Sequence, residues 1–154
     1  MAPRNLSRTT NVRESITGHL NRLSLTELPP LDDPRAVPSG SLLYRRINPD
    51  WYIDDGQGYR VTSQAFHDLR GSLSVALGVV LEEMGLSPDV VVESYDGFGL
   101  VSLSTRFVRS VGLGVVREPT KEEPWHGGIY GKKTGRIKSS LAKEAIWLRR
   151  PRTS

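Results

Sequence analysis

The stretch Trp125-His126-Gly127-Gly128 is followed almost at once by Gly131-Lys132-Lys133-Thr134-Gly135-Arg136. An imidazole beside a glycine-rich basic loop puts a proton acceptor next to groups that attract anions. A P-loop would need Gly-Lys followed directly by Ser or Thr, so that backbone N–H groups wrap the phosphates while the hydroxyl meets magnesium. Here a second lysine intervenes and the Thr134 hydroxyl comes one residue late. The stretch downstream is also too short for the rest of a P-loop domain. A simpler site remains, in which the free N–H groups that open the last helix, flanked by Lys132, Lys133 and Arg136, hold a phosphate. The alternative is that the glycines only turn the chain and Thr134 only caps the helix.

The charge is unevenly placed. Residues 1–40 carry five basic and four acidic side chains, residues 41–131 eight and twelve, and residues 132–152 eight and one. A basic terminal segment on an acidic body suits a polyanion, either nucleic acid or a nucleotide phosphate. The groups available to bind it are Lys132, Lys133, Thr134, Arg136, Lys138, Lys143, Arg149, Arg150 and Arg152, with Trp147 or Tyr130 as a stacking surface. No helix-turn-helix, RNP-type aromatic pattern or zinc-finger spacing accompanies them, so binding is expected to be sequence-tolerant and salt-dependent. The competing reading is a solvated helix flank.

His19, His67 and His126 are too scattered to form a metal site, and the absence of cysteine excludes disulfides and thiolate zinc. No metal or cofactor is expected from the residues themselves, and no G-x-S-x-G elbow marks a nucleophile. His126 is the best candidate base. Leu43-Tyr44-Arg45-Arg46 and the segment from Val61 to Phe66, with Ser63 inside it, resemble the arginine strand and the Ser-Thr-Ser strand of ADP-ribosyltransferase-like folds, which include small bacterial toxin domains. The resemblance implies that Arg45 (or Arg46) and Ser63 hold NAD. It also implies that a later glutamate activates the ribose, with Glu118, Glu122 and Glu123 as the available positions and no E-x-E pair on a strand. Under this alternative NAD is the cofactor and Arg45, Ser63 and His126 share the site. Whether the chain is an enzyme stays open.

These residues need elements to position them. Residues 1–40 read as an appendage. Asn11 and Glu14 have the spacing of a capping box, and Val12, Ile16, Leu20 and Leu23 recur at helical intervals. The amphipathic helix so expected over 11–24 must bury its stripe on the body, on a second copy or on another protein. This gives a third reading, an adaptor or oligomer subunit that docks through 11–24. Pro29, Pro30, Pro34 and Pro38 then mark a proline-rich linker.

Residues 41–151 read as one compact α+β or α/β domain with a small mixed sheet and short helices. Strands are expected over 41–47, 59–66, 98–104, 113–118 and 128–131. A helix is expected over 73–84, although 73–77 alone would pass for a short buried strand. Ser87 and Ser104 are expected to cap short helices. A final basic helix is expected from Thr134 or Gly135 to Pro151, burying Ile137, Leu141, Ala145 and Leu148. No apolar run approaches the roughly 20 residues that span a bilayer, and no hydrophobic core follows the N-terminal arginines, which points to a soluble, cytoplasmic protein.

Overall fold

The computed structural model describes residues 31–56, 58–68 and 71–152. The helix expected over 11–24 lies outside the described residues. In chain order the elements are β1 (Leu42–Ile47), β2 (Tyr52–Asp54), β3 (Tyr59–Val61), β4 (Ser72–Leu77), α1 (Gly78–Glu83), β5 (Gly99–Ser104), α2 (Thr105–Ser110), β6 (Gly114–Arg117), β7 (His126–Tyr130), α3 (Gly135–Glu144) and β8 (Ile146–Arg149). Six strands form one sheet in the order β6-β7-β4-β1-β5-β8, while β2 and β3 form a separate hairpin. Every pairing is antiparallel. The architecture is α+β, and the expected mixed sheet is corrected. β4 and β5 do run parallel to each other, but β1 lies between them and pairs with both in the opposite sense.

Alternation along β1 assigns the two faces of the sheet. Leu43 pairs with Leu77 and Leu103 and shares the first face with Arg45 and Ile47. That face carries the larger core, sealed by Phe66, by Val108 of α2 and by Leu141 of α3. Tyr44 pairs with Ala76 and lies on the second face. Only part of that face is apolar: Tyr44, Ala76 and Leu100 pack against Leu81 of α1 and against Val91 and Val92 of a 3-10 turn capped by Ser87. Toward β7 the same face turns polar, with Ser72, Ser74, His126 and Tyr130 on it.

Two expected helices are corrected. Residues 72–77 are strand and only 78–83 are helix. Leu73, Val75 and Leu77 face the larger core while Ala76 faces the smaller, so residues 75–77 are buried on both sides and helical spacing coexists with strand alternation. The basic helix ends at Glu144. Ala145 turns extended, and Ile146–Arg149 pair along β5, with Val101 opposite Trp147. The caps behave as expected, since Ser104 accepts from the Phe107 amide and Thr134 from the Ile137 amide.

The C-terminal part of the proline-rich segment is packed against the body. Val37 is fully buried, the Asp33 amide donates to the Val115 carbonyl, and the Asp32 carboxylate accepts from the Val115 amide and pairs with Arg109. Residues 32–33 thus cover the open edge of β6, which would otherwise offer unpaired backbone to another strand.

Strand β7 approaches its neighbours too closely for a side chain at Gly127. A Cβ there would lie 2.6 Å from Leu77 Cδ2 and 2.8 Å from the Val116 carbonyl oxygen, which is backbone and cannot swing away. Gly127→Ala is therefore expected to cost about 1–3 kcal/mol in urea denaturation through overpacking. A cost below about 0.5 kcal/mol would show that the β6–β7–β4 contact is looser than described.

Candidate functional site

The basic segment and the hairpin meet in a groove. It has a volume of about 320 Å3 and is lined by Tyr59, Arg60, Val61, Ala142, Lys143, Ala145 and Trp147. Its walls are aromatic and fixed. Tyr52 and Tyr59 stack with ring centroids 4.9 Å apart and planes within 3°, and Trp147 meets Tyr59 edge-on at 6.4 Å. The Trp147 indole N–H donates to the Tyr59 carbonyl at 3.1 Å, which ties β8 to β3. The Arg150 guanidinium lies 4.8 Å from the Tyr59 ring centroid, within cation–π range. Arg60 pairs with Asp55 at 2.8 Å on the groove's rim, and Lys143 is exposed.

Geometry explains why these residues converge. The turn dipeptide Asp55-Gly56 folds β2 onto β3 so that Tyr52 faces Val61 and Asp54 faces Tyr59 in register. The end of α3 and the extended Ala145 then drop β8 beside the hairpin. Trp147, expected as a stacking residue, lines this groove. Tyr52, Tyr59 and Arg60 were not anticipated; Tyr52 belongs to an aromatic pair set between the turn dipeptides Asn48-Pro49 and Asp55-Gly56, and Tyr59 and Arg60 carried no site signal.

The loop before α3 is less available. Lys133 Nζ lies 2.6 Å from Asp68 Oδ2 and 2.9 Å from the Gly131 carbonyl, with its side chain buried. Its donors face protein: Lys133, expected as a phosphate ligand, lies in an internal ion pair. Thr134 is occupied as the helix cap. Lys132, Arg136, Arg149 and Arg150 are exposed, and Lys138 reaches His67 Nδ1 at 3.4 Å. Tyr130, the other expected stacking residue, instead donates its hydroxyl to the Glu118 carboxylate, which raises the phenol's pKa above its ordinary value.

The three residues grouped as an enzyme site are not gathered into one cleft. Arg45 lies on the first face, buried, with Nε donating to the Ala65 carbonyl and Nη1 to the Ser74 carbonyl, each at 2.7 Å. Burial pulls its pKa down to about 10, so it remains charged at neutral pH. Ser63 is exposed and opens a 3-10 turn rather than sitting on a strand. His126 is on the opposite face from Arg45, opposite Ala76.

There His126 has a different partner. Its Nε2 lies 2.7 Å from Ser74 Oγ, and its Nδ1 lies 3.0 Å from the Glu118 carbonyl oxygen. Among the described residues no group of three His, Asp or Glu could hold a metal ion, and no helix is long and apolar enough to cross a membrane. No family model matches the chain, and no curated protein or solved structure shows significant similarity to it.

Proposed function

We propose that the chain binds a polyanion, specifically single-stranded nucleic acid, through the groove between the β2–β3 hairpin, the end of α3 and β8. The observation that carries this reading is the groove itself: an apolar floor of Val61, Ala142 and Ala145, aromatic walls, and Lys143 at its side, with Arg150 over the Tyr59 ring just past the adjoining strand. A splayed base gains contact area against fixed aromatic rings, and exposed cations bind successive phosphates by charge. Arg136 and Lys143 lie two turns apart on one stripe of α3, which extends the positive track toward Lys132. Stacking and charge of this kind read no sequence.

Anisotropy of labelled oligothymidylate tests the reading. Tight binding at low salt is expected, with weaker binding to duplex DNA, whose bases are not free to enter the groove. The triple variant Arg136→Ala, Lys143→Ala, Arg150→Ala removes exposed cations and should leave the fold intact. It is expected to lower affinity at least tenfold at moderate salt. The slope of log K against log salt should become shallower by about 2, at roughly 0.7 per lost phosphate contact. Absence of binding at low salt, or an unchanged slope in the variant, rejects the groove as a nucleic-acid site.

A further inference from the structure

We propose that Ser74 and His126 form a nucleophile–base pair that transfers the acyl group of an activated ester to water. The pair arises from strand register. In the β4–β7 ladder Ser74 stands opposite Gly128, and His126 stands opposite Ala76, so the two are diagonal neighbours on one face. Gly128 lets Ser72 and Glu118 close over that part of the face: a Cβ at 128 would lie 2.5 Å from Ser72 Oγ and 2.7 Å from Glu118 Oε1.

The tautomer follows from the partners. The Glu118 carbonyl oxygen can only accept, so His126 Nδ1 carries the proton that it receives. Nε2 then presents its lone pair to the Ser74 hydroxyl at 2.7 Å. The Glu118 amide in turn donates to the His126 carbonyl at 2.9 Å, which clamps the two backbones together. A nucleophile, a base in reach and a group that orients the base are the three parts of an activated serine. Burial does not demand this arrangement. Ser74 is exposed, so water would satisfy its hydroxyl equally well.

The surroundings supply the remaining requirement. Ser74 lines a small cavity, about 10 Å3, together with Arg46, Trp125, Tyr44 and Glu123. Arg46 brings positive charge, held by the Val91 carbonyl at 2.8 Å and by Glu123 at 3.1 Å. The Trp125 indole N–H is buried with no partner among the described residues. Both donors line the cavity beside Ser74. It admits no more than a water-sized group, so the ester reaches Ser74 from its exposed side.

In the reaction, Ser74 Oγ bonds to the ester carbonyl carbon while its proton passes to His126 Nε2 and the carbonyl π pair moves onto oxygen. Collapse expels the alcohol, which takes the proton from His126. Water then attacks the acyl-serine, giving its proton to His126, and Ser74 leaves with that proton as the acid departs. No oxidant or metal is required for this balance.

The test uses a fluorophosphonate probe and p-nitrophenyl acetate on the full chain. Peptide mapping is expected to place the phosphonyl adduct on Ser74, and acetate ester hydrolysis is expected to show a burst followed by slower turnover. Ser74→Ala should abolish the adduct, and His126→Gln should slow labelling at least a hundredfold. Circular dichroism on Ser74→Ala, a small exposed change, verifies folding independently of His126. An adduct on another residue, no adduct on folded wild-type protein, or equal hydrolysis by Ser74→Ala overturns the proposal.

Discussion

Asp32→Ala is expected to destabilise the protein by about 4 kcal/mol, measured by urea denaturation, within the roughly 3–5 kcal/mol range for stranding one partner of a buried ion pair. The Asp32 side chain is 1% exposed and its Arg109 partner 7% exposed, with Arg109 Nε 3.0 Å from Asp32 Oδ2. Asp32 Oδ1 also accepts from the Val115 amide at 2.7 Å, so the alanine leaves a buried guanidinium and an edge-strand N–H without their acceptor. Arg109 keeps one contact, to Ser39 Oγ, which belongs to the same packed segment. Because small domains have about 5–15 kcal/mol in total, the loss is a large share. The double variant Asp32→Ala, Arg109→Met should recover part of it, since no charge is then left buried. A single-variant loss below 1 kcal/mol would mean that residues 31–40 are a replaceable tether after all. Deletion through residue 40 should be at least as damaging as Asp32→Ala.

That segment shows how far composition alone reaches. Four prolines between 29 and 38 mark a chain without regular hydrogen bonding, and nothing in them reveals that Asp32 reaches across 77 positions to Arg109. Where the signal was local it held. β1 alternates, β5 is an apolar run ended by a capping serine, and Thr134 caps α3. Two local signals were outweighed by tertiary pairing. Leu141, Ala145 and Leu148 have helical spacing, yet β5 offered an open edge on which Ile146 and Trp147, good strand formers, could pair. The cost is visible on the surface, where Ile146 is 66% exposed on an edge strand. The Ser74–His126 contact joins positions 52 apart and depends on a register with glycine opposite serine. A one-residue slip would have put His126 on the other face, so no motif could have announced it.

Lys133→Met is expected to cost about 3 kcal/mol, whereas Lys132→Ala, its exposed neighbour, should change stability by less than about 0.5 kcal/mol. In sequence the two lysines look alike. In the fold, the Lys133 side chain is 2% exposed and Asp68 is 15% exposed, so removing the ammonium leaves a shielded carboxylate that keeps its hydrogen bond from the Gly71 amide but has lost its ion-pair partner. The pH dependence separates this from mere loss of packing. Burial works to raise the Asp68 pKa, but the Lys133 hydrogen bond and charge, the Gly71 amide and His67 outweigh it and hold the carboxyl below its ordinary value. A carboxyl with a depressed folded pKa adds stability that is fully present above its unfolded pKa of about 3.9 and is lost as pH falls through the folded value. In Lys133→Met burial is opposed only by the Gly71 amide and His67, so Asp68 takes up a proton more readily and acid relieves the strain. The gap between wild type and variant should therefore be full at pH 7 and narrow below about pH 4. A gap of constant size across that range would assign the loss to packing of the lysine stem. If Lys133→Met instead leaves stability unchanged and lowers oligonucleotide affinity more than Lys132→Ala does, Lys133 faces the phosphate and not Asp68.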